Sequence, residues 1–371
     1  MFQCSCYFQQ MLKTSISLKE VEEQAAQALK SLFASIPPIK LERIEESPFG
    51  PDRGIDLIAH IHAFGSKHLL LCEVKSTGQP RHARDAIEQL HRAVADLDEK
   101  HAVPLFIAPF LMPQTRDICT EAGVSFLDFE GNCRLAFDGV FVERVVPTKP
   151  ATERREVKSI FKPKSAQVLR TMLRNPGHFW RVTELAERAQ VSLGHVSNVR
   201  TALIAREWAK IGEDGISLTE PDALLNAWRD VYELPAGRRM SFYTTLHGKA
   251  FDEVVRRGGE PNPSLSQMAL ASFSAAQWLA PYARTGTHFF YASAHGLERV
   301  RAALNLSSAA RGENVVVTVL KDTGPLLDAI EPSPGISTTS PVQTYLDLWV
   351  AGERGREAAE HLRKEKLKWH A

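Results

Sequence analysis

The chain has 371 residues, 44% of them hydrophobic and 24% charged, with a formal net charge of +1. That length suits two or three globular domains. The balance excludes binding to nucleic acid through a global basic field, so any such contact must come from local patches. No apolar run reaches membrane-spanning length. Cys4, Cys6, Cys72, Cys119 and Cys133 show no disulfide framework, and Cys4-Ser-Cys6 lacks a second pair to complete a zinc site. A reducing cytoplasm is therefore the expected compartment. Met1 to Gln10 has neither a basic nor an apolar signal region and reads as a disordered extension, with Met11 an alternative start.

From Ser17 to Ser35, Leu18, Val21, Ala25, Leu29 and Leu32 recur at helical spacing. Pro38 to Glu46 reads as a strand. Gly54 to His62 and His68 to Lys75 read as two further strands, joined through Phe64-Gly65-Ser66-Lys67. On the first, Ile55, Leu57, Ala59 and Ile61 form an apolar face and Asp56 points the other way. On the second, Glu73 and Lys75 share a face, because strand side chains alternate. Leu69, Leu70, Leu71, Cys72 and Val74 make this strand apolar on both faces, as in a buried central strand. Charges ending such a strand need partners. The hairpin thus sets two carboxylates beside one ammonium. Paired carboxylates suit a hard cation such as Mg²⁺, and the lysine would position or help deprotonate a water attacking a phosphodiester. A structural ion pair is the alternative. Pro80 to Asp98 is helical, with Ile87, Leu90, Val94 and Leu97 on one stripe, and Val103 to Ala108 is another strand.

Pro51-Asp52, Asp56, Glu73-Val74-Lys75 and the α-β-β-β-α-β order together resemble the PD-(D/E)xK nuclease superfamily, especially its Holliday-junction-resolvase-like and Mrr-like branches. The resemblance implies a restriction-endonuclease-like αβββαβ domain over residues 11–148. In it, Asp56 and Glu73 would be metal ligands, and Asp56, Glu73, Lys75 and Gln89 would form the catalytic group. Gln89 resembles the glutamine that many members place near the metal. Ala93 stands where RecB-type members carry a tyrosine. Glu22 or Glu23 would supply the helix-borne acid of resolvases; the alternative is two surface glutamates.

Residues 149–164 are charged, contain Pro150 and Pro163, and read as a linker. Helical segments follow at Ser165–Leu173, Val182–Ala189 and Ser192–Glu207, the last with Ser192 as N-cap. Trp208 to Ile211, a Gly212-Glu-Asp-Gly215 turn and Ile216 to Thr219 then form a small hairpin. This order over 165–221 looks like a winged helix-turn-helix. Val196, Val199 and Leu203 make the inward stripe of its third helix. Ser197, Asn198 and Thr201 lie opposite, flanked by His195 and Arg200. Short polar groups and an arginine are what base edges and phosphates require. A plain helical bundle with a polar outer face is the alternative. From Lys149 to Gly212 there are thirteen Lys/Arg against five Asp/Glu, a local excess of eight. Lys158, Lys162 and Lys164 belong to it and supply phosphate attraction.

Residues 222–371 read as mixed α/β. Asp222–Tyr232, Leu265–Leu279 and Leu297–Leu306 are predicted helices, and His288–Tyr291 and Val315–Leu320 strands. His247, His288 and His295 read as surface or packing histidines. Ala275 to Tyr282, Pro341-Val-Gln-Thr-Tyr-Leu-Asp-Leu348 and Arg354 to Leu362 resemble the AbiEi-type antitoxin and transcriptional-regulator family of type IV toxin–antitoxin systems, from about Ser165 to the C-terminus. The resemblance implies a winged helix that represses its own operon on double-stranded DNA. It also implies an antitoxin domain that counteracts a nucleotidyltransferase-like toxin without stable binding. Phe126 to Asn132 resembles a strand-turn signature of nuclease-like domains fused to such regulators; a Gly-Asn hairpin turn is the alternative.

The expectation is thus a multidomain α/β plus α+β chain acting as a DNA-binding regulator and antitoxin, with no membrane contact and a homodimeric form allowed. A Mg²⁺-dependent DNA endonuclease targeted by the winged helix is the rival reading. A DNA-binding scaffold without chemistry is a third.

Overall fold

The architecture comes from a computed structural model that describes residues 17–47, 55–97, 101–147, 150–257, 267–282, 285–308 and 312–369. Met1 to Met11, Pro51, Asp52, Gly54 and Lys149 lie outside these residues. The chain divides into two units, Met1–Glu153 and Arg154–Ala371.

In the first unit, helix α1 (Leu18–Ala34) opens with a capping box, in which the Glu20 carboxylate accepts the Ser17 N–H at 2.7 Å and the Ser17 hydroxyl accepts the Glu20 N–H. Strands β1 (Ile39–Glu46), β2 (Leu57–Ala63) and β3 (Ser66–Val74) follow. The β2–β3 hairpin turns at Phe64 and Gly65, whose φ values of +48° and +88° match the primed turn that suits strand twist. Then come α2 (Pro80–Leu97), β4 (Ala102–Ala108), α3 (Pro113–Glu121), β5 (Ser125–Asp128), β6 (Cys133–Phe137) and β7 (Val140–Arg144).

All seven strands form one sheet in sequential order. Strand β3 pairs antiparallel with β2 and parallel with β4, and β4 pairs parallel with β5. The apolar stripe of α1 shares a core with Leu57, Ala59, Ile61, Leu70, Cys72 and Val74. On the other face, α2 and α3 pack with Ile58, Leu71, Phe106 and Phe126. Strand β3 is therefore covered on both sides, as its continuous apolar run requires. Ile55 departs from the expected face. It precedes β2, escapes that strand's alternation, and joins the α2–α3 core.

The expected linker holds a helix, α4 (Ala151–Ile160). Its residues include no glycine or proline, so helix propensity prevails between Pro150 and Pro163. In the second unit, α5 (Pro163–Arg174) begins with proline at its first position, where no N–H is needed. Helices α6 (Val182–Arg188) and α7 (Leu193–Ala205), strands β8 (Ala209–Gly212) and β9 (Gly215–Leu218), and α8 (Pro221–Asp230) follow. Trp180 and Ile216 exchange backbone hydrogen bonds of 2.8 and 3.0 Å, adding a third short segment beside the β8–β9 hairpin. Gly215 is required there. Its φ is +138°, and a Cβ would sit 2.2 Å from the Trp180 carbonyl oxygen.

The remaining elements are β10 (Gly237–Tyr243), α9 (Gly248–Arg257), β11 (Met268–Leu270), α10 (Ser272–Leu279), β12 (His288–Ala292), α11 (Ala294–Ala303), β13 (Ser307–Ser308), β14 (Val315–Leu320), α12 (Gly324–Leu327), β15 (Ile330–Ser333), β16 (Ile336–Thr338), α13 (Pro341–Trp349) and α14 (Glu353–Lys366). Their mixed sheet runs β13-β10-β14-β12-β11-β16-β15. The helix expected from Leu265 to Leu279 is corrected: Met268–Leu270 is a strand, and helix starts only at Ser272. Ladder bonds to β12 on one side and β16 on the other override the helical spacing.

No separate core marks the expected division between residues 221 and 222. Leu169 of α5, Leu203 of α7 and Trp228 of α8 share one hydrophobic cluster with Ala275, Leu346 and Leu362. Helices α10, α13 and α14 thus cover the apolar side of the α5–α7 group. Among the described residues, no helix is long and apolar enough to cross a membrane.

Candidate functional site

The first candidate lies where β2 begins and β3 ends. The paired register ends with Leu57 opposite Cys72, and the Asp56 N–H donates to the Cys72 carbonyl at 2.9 Å, which holds Asp56 beside the end of β3. Asp56 Oδ2 accepts the Val74 N–H at 2.7 Å, which locks its carboxylate against β3. Lys75 donates from Nζ to Glu73 Oε1, and its own backbone N–H is held by the Ile107 carbonyl of β4 at 3.0 Å. The structure thus brings Asp56, Glu73 and Lys75 together.

Glu73 is 2% exposed, and its Oε2 is buried without a hydrogen-bond partner. Burial pushes its carboxyl up to about 7, against the Lys75 hydrogen bond and helped by the Asp56 charge. Glu22 of α1 is half-buried and feels the same field: burial first, then Asp56 and Glu46, raise its carboxyl above the ordinary value. Glu23 is exposed. Oxygen donors with one buried, unused lone pair fit a hard cation such as Mg²⁺. Asp56 and Glu73 would hold it. Gln89 sits half-buried on α2 with Oε1 shielded and unpartnered, and among the described residues no hydrogen bond joins it to Asp56, Glu73 or Lys75.

The strand-turn residues Asp128 and Asn132 are accounted for structurally. Asp128 Oδ1 accepts the Asn132 N–H at 2.9 Å, and Oδ2 accepts from Leu111 N–H at 3.1 Å and Asn132 Nδ2 at 2.7 Å. Asn132 Oδ1 in turn accepts the Val146 N–H and an Arg116 guanidinium N–H at 2.7 and 3.0 Å. Gly131, at φ +98°, makes the turn.

The second candidate is the outer face of α7. Ser192 caps it by accepting the His195 N–H, and Val196, Val199 and Leu203 are buried along one stripe. His195, Ser197, Asn198 and Thr201 are exposed, and Arg200 is half-buried at the flank. Thr201 is partly occupied, donating its hydroxyl to the Ser197 carbonyl at 3.1 Å. The basic patch is smaller than the local count implies. Arg170 and Arg206 are buried, Lys158 pairs with Glu233 at 2.8 Å, and Lys164 pairs with Asp322 at 3.3 Å. Lys162 is exposed. Exposed pairs of this kind contribute little, so competing phosphates can exchange with them.

Sequence reasoning gave no role to the interior of the Gln343–Leu348 run, which is wholly buried. Gln343 Oε1 accepts from the buried Arg170 guanidinium of α5 at 3.0 Å, while Gln343 Nε2 donates to Asp347 Oδ1 at 2.9 Å. The Tyr232 hydroxyl donates to the same carboxylate oxygen at 2.5 Å. Burial raises Asp347 to about 6, against hydrogen bonds from Tyr232 and Gln343 and the Arg170 charge. The signal was present in the sequence as a Gln and an Asp four apart in a mostly apolar helix. Such groups must find buried partners, and here they join α13 to α5.

Residues 217–368 match the family model described as "Transcriptional regulator, AbiEi antitoxin, Type IV TA system". The match includes α13 with its Gln343–Asp347 network, and begins in β9, later than the resemblance expected from about Ser165. Neither the curated proteins nor the solved structures include a match to this chain.

Proposed function

We propose that the chain is a DNA-binding transcriptional regulator and antitoxin of a type IV toxin–antitoxin system. The family match carries this reading, because it covers the segment fused through one core to the α5–α7 group. Helix α7, with the β8–β9 hairpin as a wing, is read as the recognition helix of a winged helix-turn-helix on double-stranded DNA. Its small polar side chains and Arg200 would meet base edges, with Lys158, Lys162 and Lys164 meeting phosphates. The functional partner is a nucleotidyltransferase-like toxin counteracted without stable binding, and the regulator acts in the cytoplasm, as a homodimer where its operator is palindromic.

The test is a gel-shift titration on DNA upstream of the chain's own coding region. Asn198→Ala or Arg200→Ala should weaken specific binding by about 1–3 kcal/mol. Lys162→Ala should weaken all sequences similarly and flatten the salt dependence. Unchanged binding in the α7 variants would mean that another surface reads DNA.

A second reading, favoured by the unpartnered Glu73 Oε2 beside Asp56 and Lys75, adds a PD-(D/E)xK-type deoxyribonuclease in the first unit. Bound Mg²⁺ would supply Lewis-acid activation of water and phosphate. Asp56 and Glu73 would bind the ion, Lys75 would orient the water and share its proton, and Gln89 would serve as the nearby glutamine. Plasmid cleavage with Mg²⁺ or Mn²⁺ in wild type, absent in Lys75→Ala, tests it. No cleavage by wild type on plasmid or on branched DNA would leave this unit as an affinity module.

A further inference from the structure

The first unit carries a second cluster of ligand-type side chains, at the end of β3 remote from Glu73. Five residues separate His68 from Glu73, about 17 Å along a strand. The Leu69 N–H donates to the His101 carbonyl at 3.0 Å, which fixes His101, just before β4, beside His68. Asp138 reaches the same place from the β6–β7 turn, where its φ is +38°. His101 Nδ1 lies 2.8 Å and His68 Nδ1 3.5 Å from Asp138 Oδ2. One ligand atom from each residue falls within 4.8 Å of the other two.

His68 makes this more than a surface histidine–aspartate contact. It is 4% exposed, yet its Nδ1 has no hydrogen-bond partner. The ring is held by the edge of His101, centroid to centroid 5.2 Å, and by Phe137 at 4.8 Å. A buried imidazole nitrogen without a hydrogen bond, its nearest carboxylate oxygen 3.5 Å away, is costly unless something else satisfies it. Ligands about 2.0–2.2 Å from a tetrahedral ion lie about 3.3–3.5 Å apart; the His68–Asp138 pair already stands at 3.5 Å, and the exposed His101–Asp138 pair, now hydrogen-bonded at 2.8 Å, would open to admit the ion.

We propose that His68, His101 and Asp138 form a binding site for a divalent transition ion of the Zn²⁺ type, with a fourth position open to water. Two imidazoles and one carboxylate select such an ion over Mg²⁺ or Ca²⁺, which prefer all-oxygen sites. The ion ties the β6–β7 turn to the start of β3 and β4. This site is separate from the Asp56–Glu73 pair and does not depend on that pair's having any activity.

The test uses the full, untagged chain, stripped with chelator and titrated with Zn²⁺ by calorimetry and with Co²⁺ by visible absorption. Wild type should bind one equivalent at this site, with the Co²⁺ bands of a low-coordinate nitrogen–oxygen site. Affinity should fall at least about tenfold in His101→Ala and in Asp138→Asn, and stay unchanged in Glu73→Gln. His101 and Asp138 are half-exposed, so these variants keep the fold where His68→Ala would leave a hole in it. Melting curves without metal confirm that each variant is folded. The proposal is overturned if wild type binds neither ion. It is equally overturned if folded His101→Ala and Asp138→Asn bind as wild type does, or if Glu73→Gln alone removes binding.

Discussion

Glu73 and Asp128 lie at or next to the C-terminal ends of β3 and β5, on either side of β4 in one sheet, and both are almost wholly buried. Burial raises the carboxyl of each above its ordinary value. They differ in how their lone pairs are used. Asp128 accepts three hydrogen bonds from Leu111 and Asn132, and its oxygens are committed to closing a turn. Glu73 accepts from Lys75 on one oxygen and from nothing on the other. A committed carboxylate is architecture, whereas an uncommitted one beside a second acid and a lysine is open to a ligand. Asp347 falls between them, with Oδ1 doubly bonded and Oδ2 without a partner.

The largest effect that could break this contrast belongs to Asp128. Asp128→Ala strands two backbone N–H groups and the Asn132 amide in a site that excludes water, at about 1–3 kcal/mol for each unsatisfied group. The first unit should lose roughly 3 kcal/mol or more in chemical denaturation. A loss under about 1 kcal/mol would show that Asp128 is no more structural than Glu73.

How much of this was legible in the sequence follows from the range of the contacts. Glu73 and Lys75 could be placed because strand parity is a local rule, and the tight hairpin brought Asp56 near them even though the residues before β2 leave the alternation. The α7 stripe of Val196, Val199 and Leu203 was readable for the same reason. Helix α3 gave no periodic signal, since it buries only Thr115, Ile118 and Cys119. The Asp128–Asn132 corner depends on Leu111 and Val146, and the His68–His101–Asp138 cluster on three separate elements, so only the folded sheet reveals either. Two predictions failed where pairing or packing beat local pattern. Met268–Leu270 became a strand between two partners, and the expected division at residue 221 was bridged by the common core of α5, α8 and α13.

A somewhat smaller effect tests the intermediate case. Asp347 rises from 3.8 to about 6 on folding. A carboxyl raised in this way contributes stability that is present below its unfolded value and lost as pH climbs through its folded one. Between about pH 4 and pH 6 the second unit should therefore lose on the order of 2–3 kcal/mol from this group alone. Asp347→Asn keeps an acceptor for Tyr232 and Gln343 but cannot ionise, so its denaturation midpoint should vary less across that window. Parallel pH profiles for variant and wild type would place the titration elsewhere.

The smallest effect on stability, and the most diagnostic, is expected at Glu73. Glu73→Gln removes a buried carboxylate together with its Lys75 contact, and Lys75 is partly exposed and can turn to water. Breaking a buried pair is costly when it leaves a charge stranded; here the partner is not stranded, so the net change should stay within about 1 kcal/mol. Glutamine also lacks the charge needed to hold a hard divalent ion. Mg²⁺ or Mn²⁺ should therefore raise the melting temperature of the first unit in wild type and leave that of Glu73→Gln unmoved. The Asp128 corner offers no free lone pair, so it cannot substitute. If the cations stabilise both proteins equally, the unpartnered oxygen of Glu73 is not a ligand. The two carboxylates would then differ in hydrogen bonding alone, and the deoxyribonuclease reading of the first unit would lose its main support.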